Sequence, residues 1–429
     1  MTTSSTISRS RPPSAGRRAE PEWRNTCLPF LFGLLGLVFA AWAARIPTVR
    51  DGLHLNAGQL GLALLCAGVG GLVSFPLAAG MVARYGPARA ALCAGLALVV
   101  ALACIGCSAS LVALMASLGL LGVSASCFDV AINAIGAVAE KKAGRSIMSR
   151  LHAWFCVGTV SGALTGGLAA GQGVTPQVHF LILASVTALP LWAACRMLGM
   201  AEVHEVQAAV DGTPDISGNS TGNPAGNPSD KPSRNTRFRL LPRPLLILGL
   251  IGFLGAIVEN GIADWSGLYL HDQMDAGVGV APLGFAAFTG AMLVMRLVAD
   301  GLKDRFGARR IVAAGGLLAV AGIGVAVGAQ VLVVAAAGRQ DAILPLATAG
   351  FAFAGAGLAG VFPFVFSAAG SAGPRTLAGV ATLSYFGALV GPPVLGFLAQ
   401  WAGLQAALGS LAALCLVLAA IAARAQALA

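Results

Sequence analysis

The sequence predicts an all-α membrane protein of twelve transmembrane helices, arranged as two pseudo-symmetric six-helix bundles. Three observations lead there. Of the 429 residues, 57% are hydrophobic and 10% charged, against roughly 25% charged in an average soluble domain, so the surface cannot be clothed for water. Apolar stretches of the ~20 residues needed to cross a bilayer occur twelve times, six on each side of a polar interval. Parts of the first half also recur in the second. The 57 glycines stand singly or in short clusters inside apolar runs rather than in a tripeptide period, which suits helix packing and not collagen. A soluble enzyme, a secreted disulfide scaffold and a disordered hub are excluded.

The first 24 residues are rich in Ser, Thr and Arg, with no apolar core or small-residue cleavage pattern before Cys27. They read as a retained cytoplasmic tail over residues 1–27 rather than a signal peptide. A first bundle is expected over 28–200, with spans at 28–49, 58–82, 88–108, 111–138, 148–171 and 177–199. Residues 201–243 hold Pro214, Pro224, Pro228 and Pro232 among many Gly, Asn and Ser, a composition that buries no core and reads as a linker. A second bundle is expected over 244–429, with spans at 245–270, 280–302, 309–334, 343–369, 375–400 and 403–424. The ninth is the least sharply bounded, since apolar character runs on to Ala337, long for one untilted helix and short for two.

The net charge of +10 reflects topology. With the N-terminus inside, the inner tails and loops hold 23 of the 27 Lys and Arg residues, the outer loops only Arg50 and Arg339, and the spans Arg45 and Arg296. That asymmetry puts both termini in the cytoplasm and leaves no call for nucleic acid as a partner. The nine cysteines lie mostly in apolar stretches. Cys104-x-x-Cys107 has no second pair or nearby His to complete a zinc site, so neither metal nor cofactor is expected.

The internal repeat has two parts. Residues 79–89, AGMVARYGPAR, recur as residues 300–310, DGLKDRFGARR, with Gly86 and Gly307 offset by 221. Gly158-x-x-x-Gly162 in the fifth span matches Gly387-x-x-x-Gly391 in the eleventh, offset by 229. Six spans separate the copies, so both keep the same orientation, which is the parallel repeat of a two-bundle transporter.

Gly-rich helices in a six-plus-six arrangement, with Asp304-Arg305-x-Gly307-x-Arg309-Arg310 between the eighth and ninth spans, resemble the major facilitator superfamily from about residue 28 onward. The resemblance implies that Asp304, with Arg305, Arg309 and Arg310, helps to latch one side of a carrier. The first copy has Ala83 where the acid belongs. Trp42-Ala43-Ala44-Arg45-Ile46-Pro47, Asp129-x-x-x-Asn133, His152 and Asp264-Trp265-Ser266 are similar to a bacterial branch related to the fucose permeases. There an acid four residues before an Asn in the fourth span serves proton and sugar, which implies that role for Asp129 and Asn133. The first-span acid of those permeases has no counterpart here.

Asp129 also stands on its own physics. It lies about ten residues, or about 15 Å, from the inner end of its span, where an ionised carboxylate costs about 3 kcal/mol or more. Asn133 shares its face. Such an acid either takes a proton or binds substrate, or forms a static interhelical bond. Glu259 and Asp264 are five residues apart, hence on diverging faces, and at least one is expected outside the cavity. Arg45 and Asp264 fall near the outer ends of helices that the repeat makes equivalent; they either bridge to close the outer mouth, or Arg45 snorkels to headgroups. Arg296 and Asp300 share a face near the inner end of the eighth span, with His152 at similar depth on the fifth, either as a static cluster or as a gate and proton passage. Trp42 and Tyr385 either stack on a solute or anchor the interface. The fifth-span glycines resemble the antiporter signature of drug exporters, with Ala163 in place of its Pro.

No P-loop occurs, and none of the four lysines precedes Ser or Thr, so transport is not powered by ATP bound to this chain. Asp300-x-x-x-Asp304 lacks the second Asp-rich motif of a Mg²⁺ diphosphate enzyme. The expectation is a non-enzymatic, monomeric secondary transporter in which two bundles rock about a central site, with a small molecule and a proton as cargo and lipid as its surroundings. The alternative is a drug or metabolite exporter working by proton antiport.

Overall fold

The computed structural model describes residues 24–143, 147–211, 243–335, 340–372 and 374–428. The first half folds into α1 (Arg24–Gly52), α2 (Ala57–Val73), α3 (Phe75–Tyr85), α4 (Pro87–Gly106), α5 (Leu111–Ala143), α6 (Met148–Gly171) and α7 (Pro176–Asp211). The second half follows as α8 (Arg243–Met274), α9 (Leu283–Phe306), α10 (Ala308–Ala335), α11 (Gln340–Leu358), α12 (Val361–Ser371), α13 (Pro374–Ala402) and α14 (Leu404–Arg424). Twelve passes result because α2 with α3, and α11 with α12, each make one broken span. α2 and α3 meet at a 44° bend. Ser74 turns its hydroxyl back to the Gly71 carbonyl at 2.8 Å there, and Pro76, which has no N–H to donate, opens the next helix.

Most spans fall where apolarity places them. The ninth, expected over 309–334, is the single helix α10. α7 runs on to Asp211, into the stretch read as linker, and α1 begins at Arg24, inside the expected tail. The rest of that tail and of that linker lies outside the described residues.

The two halves repeat each other helix for helix. α1 packs on α6 as α8 packs on α13; α4 packs on α5 and α7 as α10 packs on α11 and α14; α2 packs on α5 as α9 packs on α11. The matching glycine motifs make the first pair of contacts possible. A Cβ on Gly158 would strike the Gly33 carbonyl of α1, and one on Gly387 the Phe253 carbonyl of α8, so only glycine lets these backbones touch. Gly86 and Gly307 close the repeated loops with φ of +79° and +81°, a left-handed turn that L side chains resist, and each donates its N–H to the last turn of the preceding helix.

The halves meet along three seams: α2 on α13, α6 on α9 and α1 on α8. The repeat exchanges the first two and maps the third onto itself. All three close at the end of the molecule that carries Arg50. There a Cβ on Gly61 would lie 3.1 Å from the Gly396 Cα, and one on Gly171 would lie 3.4 Å from the Gly279 Cα. Contacts between the halves continue to mid-depth, where Arg296 meets Cys156 and Phe75 meets Tyr385.

Candidate functional site

Between the halves, at mid-depth, lies a cavity of ≈ 340 Å³ walled by α1, α3, α4, α5, α6, α8, α9 and α13. Three charged residues reach it: Asp129 from α5, Glu259 from α8 and Arg296 from α9. Phe39, Phe75, Phe155, Phe285, Phe288 and Tyr385 supply its apolar walls. A second chamber of ≈ 220 Å³, lined by Trp42 and Asp264, shares Phe39, Phe75, Asn260 and Tyr385 with the first. The two are stacked compartments of one solute-sized space, built like the apolar ligand sites with a few placed polar groups that proteins generally use.

Asp129 sits near the centre of α5. Asn133, one turn on, donates its side-chain amide to the Asp129 carboxylate at 2.9 Å and to the Asp129 carbonyl at 2.8 Å. Asn133 lines neither chamber; its contact with the cavity is made through Asp129. Glu259 is at the middle of α8, and its Oε2 is buried without a hydrogen-bond partner. The neighbouring Asn260 spends its amide on the Ala256 carbonyl at 2.9 Å.

Several expectations are corrected here. Glu259 and Asp264 both line the cavity, one in each chamber. Five residues turn a helix by about 140° but also climb about 7.5 Å, and the stacked compartments receive both faces. Arg296, expected near a helix end, sits mid-depth because α9 runs from Leu283 to Phe306. Its Nη1 points to the Cys156 sulfur at 3.3 Å and its Nε has no partner. The side chain of Asp300 lies outside the described residues. His152 lines neither chamber and stands edge-on to Phe32 of α1, ring centres 5.3 Å apart. Tyr385 faces both chambers and packs edge-on against Phe75 at 5.2 Å. Trp42 faces the second alone.

Arg45 and Asp264 do not pair. Arg45 is buried, 1% exposed, and donates to the Val174 carbonyl beyond α6, while its Nε and Nη1 find no partner. The junction between α1 and α8 lies five residues further on, about 140° around the helix. There Arg50 binds Asp272, and His271 Nε2 lies 3.2 Å from Asp51. The repeat marks these residues as equivalent, since Arg50-Asp51 and His271-Asp272 are base–acid dipeptides offset by 221, the spacing of Gly86 and Gly307; that they meet is seen only in the packed helices. At the opposite end Asp304, Arg305 and Arg310 are exposed. Among the described residues Asp304 forms no ion pair with Arg305, Arg309 or Arg310, and Arg305 lies over the Phe306 ring.

The sequence profile of the Major Facilitator Superfamily matches residues 28–386. An uncharacterized transporter of Sinorhizobium fredii, y4wD, is 32% identical over 397 residues, 91% of this chain and 94% of that one. An uncharacterized MFS-type transporter of Yersinia pestis is 29% identical, covering 91% of this chain and 92% of its own. Among solved structures, an Asp-to-Ala mutant of the nucleoside transporter NupG superposes with a TM-score of 0.68 at 14% identity, over 93% of this chain and all of that one. A bacterial homologue of the human lysosomal transporter Spinster, inward-facing and occupied, gives 0.65 at 15% identity over 96% of this chain and 98% of its own. At such identities the structural matches speak for the fold alone.

Proposed function

Because the chain belongs to the Major Facilitator Superfamily and is a membrane transporter, we propose that it carries a small solute across the bacterial inner membrane by alternating access, driven by protons. The observation that carries this reading is the mid-depth cavity between two repeated halves, whose three seams close, among the described residues, at the Arg50 end. The distribution of basic residues, 23 on one side against two on the other, supports cytoplasmic termini and makes the Arg50 end the outer one. The conformation described is then closed to the outside, with the cavity served from the cytoplasm.

Asp129 is the proposed proton carrier. A carboxylate at this depth costs about 3 kcal/mol or more when charged, and a bound proton removes that cost before the halves rock. Asn133 holds the carboxylate toward the cavity. In this reading Arg50, Asp51, His271 and Asp272 form the outer latch, and Asp304, Arg305, Arg309 and Arg310 an inner one in the opposite state. Neither ATP hydrolysis nor enzymatic chemistry enters this cycle.

The test is solute uptake into proteoliposomes under an imposed proton gradient. Accumulation that collapses with a protonophore supports proton coupling. Accumulation indifferent to the gradient overturns it.

A further inference from the structure

We infer that the solute is a small zwitterion, whose anionic group binds Arg296 and whose ammonium binds Glu259. The inference rests on the transport reading above and on Asp129 as the proton carrier.

Two unsatisfied groups carry the argument. Glu259 Oε2 and Arg296 Nε are buried, lack hydrogen-bond partners and belong to residues that line the same chamber. The two side chains form no ion pair with each other. The protein therefore holds opposite charges apart on neighbouring helices and leaves an atom of each unpaired, an arrangement that is costly unless something enters between them. The thiol that Arg296 does contact, Cys156 at 3.3 Å, is a weak acceptor and no substitute for an oxyanion. A planar guanidinium matches carboxylate or phosphate oxygens in geometry, and a carboxylate accepts from an ammonium with charge on both partners.

Charge balance selects the class. Once Asp129 holds its proton, Glu259 and Arg296 cancel and the first chamber is neutral, Asp264 facing only the second. A singly charged solute would leave one charge uncompensated at mid-depth, whereas a zwitterion satisfies both groups and adds none. A neutral polyol adds no charge either, but it meets an ion pair's worth of unpaired atoms with hydroxyls alone, which are the weaker partners. The ring of six aromatic side chains calls for a solute whose remainder is apolar or a flat ring, and ≈ 340 Å³ is near the small end of ligand sites, which suits a monomeric metabolite.

The test presents purified full-length protein in proteoliposomes with an equimolar mixture of four solute sets: α-amino acids, their carboxamides, their N-acetyl derivatives and neutral monosaccharides. Internal contents are read by mass spectrometry against protein-free vesicles, with the proton gradient imposed in each direction. We expect at least one amino acid to accumulate tenfold or more above its carboxamide and its N-acetyl derivative. Arg296→Gln and Glu259→Gln should each weaken that accumulation about tenfold. Accumulation of carboxamides, acetylated acids or sugars in preference to zwitterions overturns the inference while leaving transport intact. If no solute of any set accumulates in either direction, the transport reading falls together with it. Selectivity of the unsubstituted protein decides the matter even where a variant fails to fold.

Discussion

Arg50 at the end of α1 binds Asp272 at the end of α8, and the residues beside them, Asp51 and His271, make the mirror contact at 3.2 Å. Each helix presents a base followed by an acid, and each base reaches the other helix's acid. The contact is thus self-complementary in the manner of a two-fold interface, although one chain supplies both copies. Only helices that face each other across the repeat axis can meet this way. The four side chains are partly exposed, with Arg50 at 17% and Asp272 at 26%, so the contact adds little to the stability of the fold.

An exposed ion pair of this kind contributes about 1 kcal/mol, which corresponds to about a fivefold change in the closed population. Arg50→Asp or Asp272→Arg should therefore raise labelling of a cysteine placed at Ser126 from the outer side about fivefold. The double exchange should bring labelling back toward the parent. Independent, additive effects would show that the two residues do not stabilise the closed state together.

Asp129→Asn keeps the side-chain volume and stays neutral. The variant should reach the membrane and exchange solute between internal and external pools at near-parental rates, yet its accumulation ratio under an imposed proton gradient should fall to about 1. If it still concentrates solute as the parent does, Asp129 is a structural residue and Glu259 becomes the next carrier to examine.

The glycine seams predict matched effects in the two halves. Gly158→Ala and Gly387→Ala each drive a methyl into a backbone carbonyl of the facing helix, an overpacking that costs about 1–3 kcal/mol. Thermal unfolding in detergent should show both destabilised. Gly409→Ala on α14 meets no neighbour within 4 Å and should be neutral.

Topology is read most directly from reporters. A fusion after Gly218 should behave as cytoplasmic, and an insertion after Asp275, which turns the chain between α8 and α9 with φ of +52°, should be external. The reverse pattern would invert the assignment of latch and mouth, leaving the fold unchanged.

Much of the fold was legible because it follows from quantities that add along the chain. Apolar length defined the spans, including the ninth, which is the one helix α10. The glycine motifs at 158 and 387 marked the backbone contacts, since close approach requires the absence of a side chain at a given position, a local property. Asp129 with Asn133 was legible too, because partners four residues apart share a helix face whatever surrounds them.

Partnership between helices was not legible, and the pairing proposed for Arg45 shows why. Arg45 and Arg50 lie on the same helix, both near its end, and nothing local tells which one faces α8. A rotation of about 140° separates them, and only the packed position of α1 against α6 and α8 turns Arg50 to Asp272 and Arg45 to Val174. Likewise Glu259 and Asp264 diverge around α8, yet stacked chambers take in both. The sequence by itself determined how many helices cross the membrane, which residues are costly there and how the halves repeat, because hydropathy and helical spacing act within one segment. The tertiary structure alone decided that Arg296 joins Asp129 and Glu259 around one cavity and that Arg50 closes on Asp272, because helix rotation and depth are set by many side-chain contacts that no single segment contains.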